Sequence, residues 1–320
     1  MKALWLTWHH SRRSRSLAAE FDVPILEHAK ESSAFVRHFT CTIWTIFVLA
    51  KYRPTLIFLQ YSFLLLIVIS IYKYLSSKGV QIICDCHTKA LRRKLQGCLN
   101  KLFWLLKRMS FSQVDICIIS NEGLIPDAQK LTDRYRILND KIPLFKTSCR
   151  IHEVMPYCVF VCSYSSDEPL YEMIQAAQDM KGEATFKCTG KIPGRFSYLR
   201  HQPYDNIQFT DHLADDDYID LISNAQCIIA LTTEEDCLQC AGYEALSVGV
   251  PFVVSDTNTL KRYFMDSAVY AKNNNKAIVE AIRFALNNKA KLISHIGILK
   301  KMRMVDYEIM LGKLKNELGI

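Results

Sequence analysis

The chain's 320 residues, half of them hydrophobic, suffice for two compact domains of about 150 residues each, and the lack of Pro/Gly-rich or low-complexity stretches excludes a largely disordered chain. Residues 1–150 carry 23 Lys/Arg against 10 Asp/Glu, whereas residues 151–320 carry 17 against 22, so the first half expects an anionic partner, either a phosphate-bearing membrane or a nucleic acid. The twelve cysteines do not describe a disulfide scaffold, because most of them, Cys84, Cys117, Cys158, Cys162, Cys188 and Cys227 among them, lie inside apolar runs and read as small buried hydrophobes of a reducing compartment.

Residues 3–8 read as a first strand, followed by a loop and helix start that carry His9, His10, Arg12 and Arg13. At the end of a strand in a doubly wound sheet, such a cluster contacts an anionic acceptor or donor phosphate; the plainer alternative is a solvated basic helix entry. No Gly-x-Gly-x-x-Gly follows, so a dinucleotide fingerprint is absent. Met1–Trp8 has its positive charge after the apolar run rather than before it, which is not the pattern of a secretory leader.

A short strand at 23–27 and an apolar helix at 33–51 come next, and then Pro54–Tyr72, nineteen residues without a charge and a candidate to cross a membrane. Its β-branched start and polar Gln60-Tyr61-Ser62 break favour a strand at 55–59 and a buried helix at 63–75, leading to a strand at 80–84 in a βαβ unit. That strand ends in Asp85-Cys86-His87-Thr88, where His87 is a candidate donor to a reacting group with Asp85 orienting it, or Asp85 and Thr88 simply cap the next helix. Residues 89–110 have helical periodicity. Leu91, Leu95, Cys98, Leu99, Leu102, Leu106 and Met109 form the expected inner stripe; Lys89, Arg92, Arg93, Lys101, Lys107 and Arg108, with Phe103 and Trp104 among them, form an outer face suited to anionic headgroups. A strand at 114–119, a helix at 122–131 and a strand near 135–138 close this half, and 139–153 reads as a linker.

The second half repeats the alternation: strand 157–162, helix 168–180, strand 183–188, strand 206–209, helix 215–224 and strand 226–231. Two parallel sheets follow from alternation in both halves. Thr189-Gly190-Lys191 ends one strand, and Lys191 or Arg195 can supply positive charge to a departing anion. Asp215-Asp216-Asp217 precedes an apolar repeat and reads as a helix N-terminus rather than a metal-binding Asp-x-Asp. Cys237-x-x-Cys240 and Cys84-x-Cys86 lack a second pair, so no metal is expected.

The most informative stretch is Ala230–Phe264, a strand, a polar loop, a helix opening near Ala241, and a second strand from Pro251 to Ser255. A helix start at the carboxyl end of a strand presents backbone N–H groups and a positive dipole end to a diphosphate, here through Gln239, Cys240, Ala241 and Gly242, with Gly242 keeping the approach free of bulk and Glu244 one turn inside. Asp236, seven intervening residues, Glu244-Ala245-Leu246, Gly249-Val250-Pro251 and Ser255-Asp256 together resemble the signature of the GT-B glycosyltransferases, within them the large retaining family four, with Asp236 standing where that family usually has Glu.

The resemblance implies an α/β chain of the GT-B type, with two facing Rossmann-like domains, parallel sheets and a cleft between them. The expected divisions are 1–150 as an acceptor-side domain, 151–303 as the nucleotide-sugar domain, and 304–320 as a helix crossing back. It further implies sugar transfer from a UDP- or GDP-linked donor to a lipid-linked or surface-glycan acceptor, with retention of configuration, no metal, and no cofactor beyond the nucleotide-sugar co-substrate. Glu244 would then hold the donor ribose, Asp236 the sugar hydroxyls, and Lys191 or Arg195 the leaving diphosphate, with Thr189 and Gly190 beside them. His87, with Asp85 orienting it or the local backbone, and the Trp8–Arg15 loop would face sugar and acceptor. With the basic first half, the expectation is a cytoplasmic protein, peripheral on the inner face of the membrane, with no nucleic-acid partner. The rival readings are a nucleotide-sugar epimerase and a non-catalytic membrane-associated subunit of the same fold.

Overall fold

The computed structural model describes residues 2–29, 33–77, 79–92, 99–145 and 157–320. The chain divides into two units, residues 1–140 with 307–320, and residues 141–306.

The first unit runs β1 (Ala3–Thr7), α1 (Arg12–Glu20), β2 (Ile25–Glu27), α2 (Ala34–Tyr52), β3 (Leu56–Gln60), α3 (Phe63–Leu75), β4 (Gln81–Cys86), α4 (Thr88–Arg92), α5 (Leu99–Ser112), β5 (Ile116–Ile119), α6 (Ile125–Gln129) and β6 (Tyr135–Ile137). Its six strands are all parallel in the order β2-β1-β3-β4-β5-β6. The middles of the inner strands, Leu4–Leu6, Leu56–Leu59, Ile82–Cys84 and Ile116–Ile119, are apolar on every residue because both sheet faces are covered. Leu4, Leu6, Ile57, Leu59, Ile82 and Cys84 pack under α2, α3 and α5. On the other face Trp5, Phe58, Ile83 and Ile118 meet Leu17 and Ala18 of α1, together with Tyr307, Leu311, Leu314 and Leu318 from the chain's last helix.

The second unit runs β7 (Tyr157–Phe160), α7 (Leu170–Asp179), β8 (Thr185–Thr189), a 3-10 segment at Gly194–His201, β9 (Ile207–Asp211), α8 (Asp215–Asn224), β10 (Cys227–Ala230), α9 (Cys240–Val248), β11 (Phe252–Ser255), α10 (Asn258–Phe264), β12 (Val269–Ala271), α11 (Asn275–Asn287) and α12 (Lys289–Leu318). The six parallel strands take the order β12-β11-β10-β7-β8-β9. The short edge strand β12, half-exposed at Val269 and Tyr270, carries no clear alternation and was not expected from the sequence. Among the described residues ten cysteines are free thiols, eight of them buried.

Each sheet reverses its winding once. The chain leaves β1 on one side for β2 and returns to β3 on the other; likewise it leaves β7 for β8 and returns to β10. Ligands of open parallel sheets bind beyond the carboxyl ends of the strands at such switch points. The polar residues that matter are therefore those following β1, β3 and β4 in the first unit, and β7, β8 and β10 in the second.

Three expectations change. The boundary falls ten residues before the expected 150, because Leu138 completes the first unit's core while Ile142, 4% exposed, already belongs to the second; the expected boundary itself lies outside the described residues. The single helix α12 serves both units, with Leu292 and Ile296 in the second core and the residues from Tyr307 onward in the first. The amphipathic stretch 89–110 is not seated as expected. Arg93, Leu95 and Cys98 lie outside the described residues. In α5 the inward residues are Phe103, Lys107, Ser110 and Phe111, while Leu102 and Met109 point outward.

The reason is local chemistry. Phe103 packs on the Phe63 ring at 4.7 Å, and the Lys107 ammonium donates to the Ala90 and Leu91 carbonyls at 2.9 and 2.8 Å, beneath Trp104 (4.9 Å) and Tyr61 (5.4 Å). Burial lowers the pKa of Lys107, but carbonyl and π partners hold it inside. The nineteen uncharged residues from Pro54 form β3 and α3. No helix among the described residues is long and apolar enough to cross a membrane.

Candidate functional site

At the first unit's switch point the polar ends of β1, β3 and β4 converge. The Thr7 hydroxyl lies 2.9 Å from the His9 carbonyl oxygen and 3.0 Å from Gln60 Oε1. The same Gln60 side-chain amide lies in hydrogen-bond contact with His87 Nε2 at 3.1 Å. His87 is 38% exposed at its side chain and stands at the edge as a directed hydrogen-bonding group.

Asp85 does not orient it. The two are 3.8 Å apart at nearest approach, and the Asp85 carboxylate, 1% exposed, instead accepts from Arg13 Nε at 3.0 and 3.1 Å. Arg13 also donates to Asp140 Oδ1 at 2.7 Å and to the Leu138 carbonyl at 2.8 Å. Burial opposes its charge, yet Asp85 and Asp140 raise its pKa above the ordinary value. Arg13 and Asp85, expected on the acceptor side and beside His87, are instead paired with each other inside the fold.

The rest of the basic loop is outside. His9 and Arg12 are exposed, and His10 Nδ1 lies 3.1 Å from Glu27 Oε2. Glu27 also takes a two-pronged contact from Arg15, which with His10 holds its carboxyl below the usual value.

The second unit's switch point is braced by a denser network. Thr232 N–H donates to Ser255 Oγ (2.8 Å), Ser255 Oγ donates to Asn273 Oδ1 (2.8 Å), and Asn273 Nδ2 returns to the Thr232 carbonyl (2.9 Å). Asp167 ties the loop after β7 to the loop after β10, its carbonyl accepting from Thr233 N at 2.7 Å. Beside it, Glu168 accepts from Ser163 N at 3.0 Å and Ser165 N at 3.2 Å, so a carboxylate of the chain itself fills the small N–H nest at the end of β7. Neither role had a signal in the sequence beyond two acids before a helix.

After β8, Thr189 is buried, its Oγ1 accepting from Cys162 N at 3.3 Å and donating to the Phe160 carbonyl at 3.5 Å; it pins two strands together. Gly190, at φ +92°, closes on the Cys162 carbonyl so tightly that any Cβ would overlap it. Lys191 is exposed, with no hydrogen bond or ion pair among the described residues. Arg195 donates to the Tyr164 carbonyl at 2.5 Å and lies over the Phe196 ring.

The loop after β10 divides its three acids. Glu235 accepts from Asn258 N at 2.7 Å at the start of α10, and Asp236, half-buried, accepts from Thr259 Oγ1 at 2.9 Å. Gln239 donates to the Leu231 carbonyl at 2.9 Å, which fixes the start of α9 against the end of β10. The N-cap residue Gln239 makes no side-chain capping hydrogen bond to α9, and no acid occupies the helix's first turn. Its outward N–H groups keep their dipole end available to an anion. Cys240 is exposed, while Ala241 is buried in the core.

Gly242 is required for a different reason from that expected. A Cβ there would overlap the Phe264 ring, so this glycine serves the aromatic packing of Tyr243, Tyr263 and Phe264 behind the helix. Glu244 is 6% exposed and accepts from the Tyr218 hydroxyl of α8. A carboxylate so buried needs donors, and Tyr218 is one the sequence did not single out. Gly249, at φ +73°, ends α9 in the left-handed conformation before the Pro251 turn. Asp215, Asp216 and Asp217 occupy the first turn of α8.

Residues 170–303 match the model of the glycosyl transferase-like family. No curated protein sequence matches the chain significantly. Solved structures share the fold over essentially the whole length. HepE from Anabaena in complex with UDP is 10% identical, aligned over 100% of both chains with a TM-score of 0.72. A glycosyltransferase from Rickettsia africae is 9% identical over 98% of this chain and 97% of its own, with a TM-score of 0.68. WaaG, a glycosyltransferase of lipopolysaccharide biosynthesis, is 13% identical over 98% of both chains, also at 0.68. The chain thus has the two-sheet α/β fold of the GT-B glycosyltransferases, and its second unit resembles them in sequence as well.

Proposed function

We propose that this protein transfers a sugar from a UDP-linked donor to a lipid-linked or surface-glycan acceptor at the inner face of a membrane, retaining the sugar's configuration and using no metal. The observation that carries the reading is Glu244: a buried carboxylate, held by Tyr218, one turn behind an uncapped helix start at the second sheet's switch point. A carboxylate there accepts from the two hydroxyls of a ribose, while the backbone N–H groups of Gln239, Cys240 and Ala241 receive the diphosphate, that of Gly242 being donated to the Gln239 carbonyl.

The departing nucleoside diphosphate gains charge as the glycosidic bond breaks, and Lys191 is the exposed cation at this edge that neutralises it. Asp236 addresses the sugar hydroxyls. His87, oriented by Gln60, hydrogen-bonds on the acceptor side. HepE has been crystallised with UDP and with UDP-glucose, which makes UDP-glucose the first donor to try.

The test is thermal stability against UDP-, GDP-, ADP-, TDP- and CMP-sugars, since a ligand that binds only the folded state raises the melting temperature. A shift with a UDP-sugar, lost in Glu244→Ala without loss of the unliganded transition, is the expected result. No shift with any donor, or one that survives Glu244→Ala, removes the ribose role.

A further inference from the structure

The outer faces of α2, α3 and α5 carry a feature that sugar transfer does not use. In α2 the residues Phe35, Phe39, Ile43, Ile46 and Phe47 recur at helical spacing, and each is between 53% and 81% exposed. They form a stripe opposite the inward Cys41, Thr45, Val48 and Leu49, so this helix is apolar on both sides. α2 packs on α3 and α3 on α5 over one face of the sheet, and Tyr74 of α3 and Leu105 and Met109 of α5 are exposed as well. An exposed apolar surface of this extent marks a binding face.

The charges name the occupant. In this layer Arg37, Lys51, Arg53, Lys101 and Arg108 meet no carboxylate among the described residues, whereas Lys73 pairs with Asp115, Arg92 with Asp127, and Lys107 is buried. Arg37 lies near one end of the α2 stripe, and Lys51 and Arg53 at the other, where the Lys51 ammonium sits 5.9 and 5.4 Å over the Phe47 and Tyr52 rings. Lys101 and Arg108 are exposed on α5. A second copy of the chain would bring these bases against one another with no carboxylate to pair them. An anionic lipid surface accepts both components: phosphate headgroups meet the bases, and the acyl boundary meets the aromatic and aliphatic stripe.

We infer that α2, supported by α3 and α5, lies in the plane of an anionic bilayer with Phe35, Phe39, Ile43, Ile46 and Phe47 sunk into the acyl boundary. The surface moves from the basic side of residues 89–110 to α2, and its bases ring the apolar stripe instead of lining it. The inference deepens the membrane-side acceptor reading and rests on it for the purpose of the binding, not for the binding itself.

The experiment floats the full chain with vesicles of phosphatidylglycerol and phosphatidylcholine, or of phosphatidylcholine alone, without donor or acceptor. The wild type should float with the anionic vesicles, and more weakly as salt rises. The triple variant Phe39→Ser, Ile43→Ser, Phe47→Ser changes only exposed side chains; its binding should fall by about tenfold or more. Its donor-induced melting shift should be unchanged, which also shows that it is folded. The pair Arg37→Gln and Lys51→Gln should reduce flotation and flatten its salt dependence. A wild type that stays unbound with every vesicle, or a triple variant that floats equally well, overturns the proposal. So does a wild-type dimer that the triple variant turns into a monomer without vesicle binding in either, since the face would then belong to self-association. Loss of the donor shift in the wild type would count against sugar transfer alone.

Discussion

The carboxyl edges of the two sheets are built from the same kinds of residue and use them differently. In the first unit the strongest charges close on themselves: Arg13, Asp85 and Asp140 form one buried cluster, leaving His87 and Gln60 as the groups that face outward. In the second unit the polar side chains brace loops, through Ser255, Asn273, Asp167 and Glu168, and leave an uncapped helix start and an exposed Lys191. A charge turned inward contributes to the fold, whereas a helix start facing outward at a switch point directs its dipole toward a ligand. Residue type alone does not separate the two uses.

The largest effect that would break this comparison is Arg13→Met. It leaves Asp85 buried without its partner, and a loss of about 3–5 kcal/mol in urea unfolding is expected. Adding Asp85→Asn should recover part of that loss, because a neutral amide no longer needs the guanidinium. If Arg13→Met instead left stability intact and abolished transfer, Arg13 would belong to the outward set.

Gly242→Ala tests the second edge with a smaller expected cost. The added methyl must displace the Phe264 ring, an overpacking penalty of about 1–3 kcal/mol. The melting temperature should fall whether or not a donor is present. An unchanged melting temperature with weakened donor binding would return Gly242 to the role of ligand clearance.

The smallest effect concerns Asp127, which sharpens the contrast by being neither buried nor catalytic. Burial pushes its carboxyl up, but Lys130 and Arg92 outweigh this and hold the pKa below its ordinary 3.8. With the folded value below the unfolded one, its stabilisation is complete above the unfolded value and is lost as pH falls through the folded one. Replacing it with Asn should lower stability slightly at neutral pH and make no difference at strongly acidic pH, as read by denaturant midpoints at the two conditions.

Part of this was legible in the chain itself. Strands buried on both faces appear as unbroken apolar runs, so Leu56–Leu59 and Cys227–Ala230 identify themselves, as does the uncharged segment after Pro54 once its polar break is given weight. The α9 region was legible because its logic is local: Glu244 follows the helix start within one turn, and Gly249 ends the helix at the position where a left-handed residue is needed.

What the sequence determined by itself, then, is the alternation of strands and helices, the parallel two-sheet fold that alternation demands, and the helix start at Cys240, because these rest on neighbours along the chain. Only the tertiary structure decided the rest. Arg12 and Arg13 are adjacent and identical in type, and what separates them is Asp85, 72 positions away, and Asp140, 127 positions away. Gly242 answers to Phe264 and Glu244 to Tyr218, each brought close by a different crossover. The face that α5 turns inward was set by carbonyls of α4 calling for the Lys107 ammonium, a contact that periodicity in α5 cannot encode. Partners supplied by distant segments fix which of several chemically equal side chains is structural and which remains free to act.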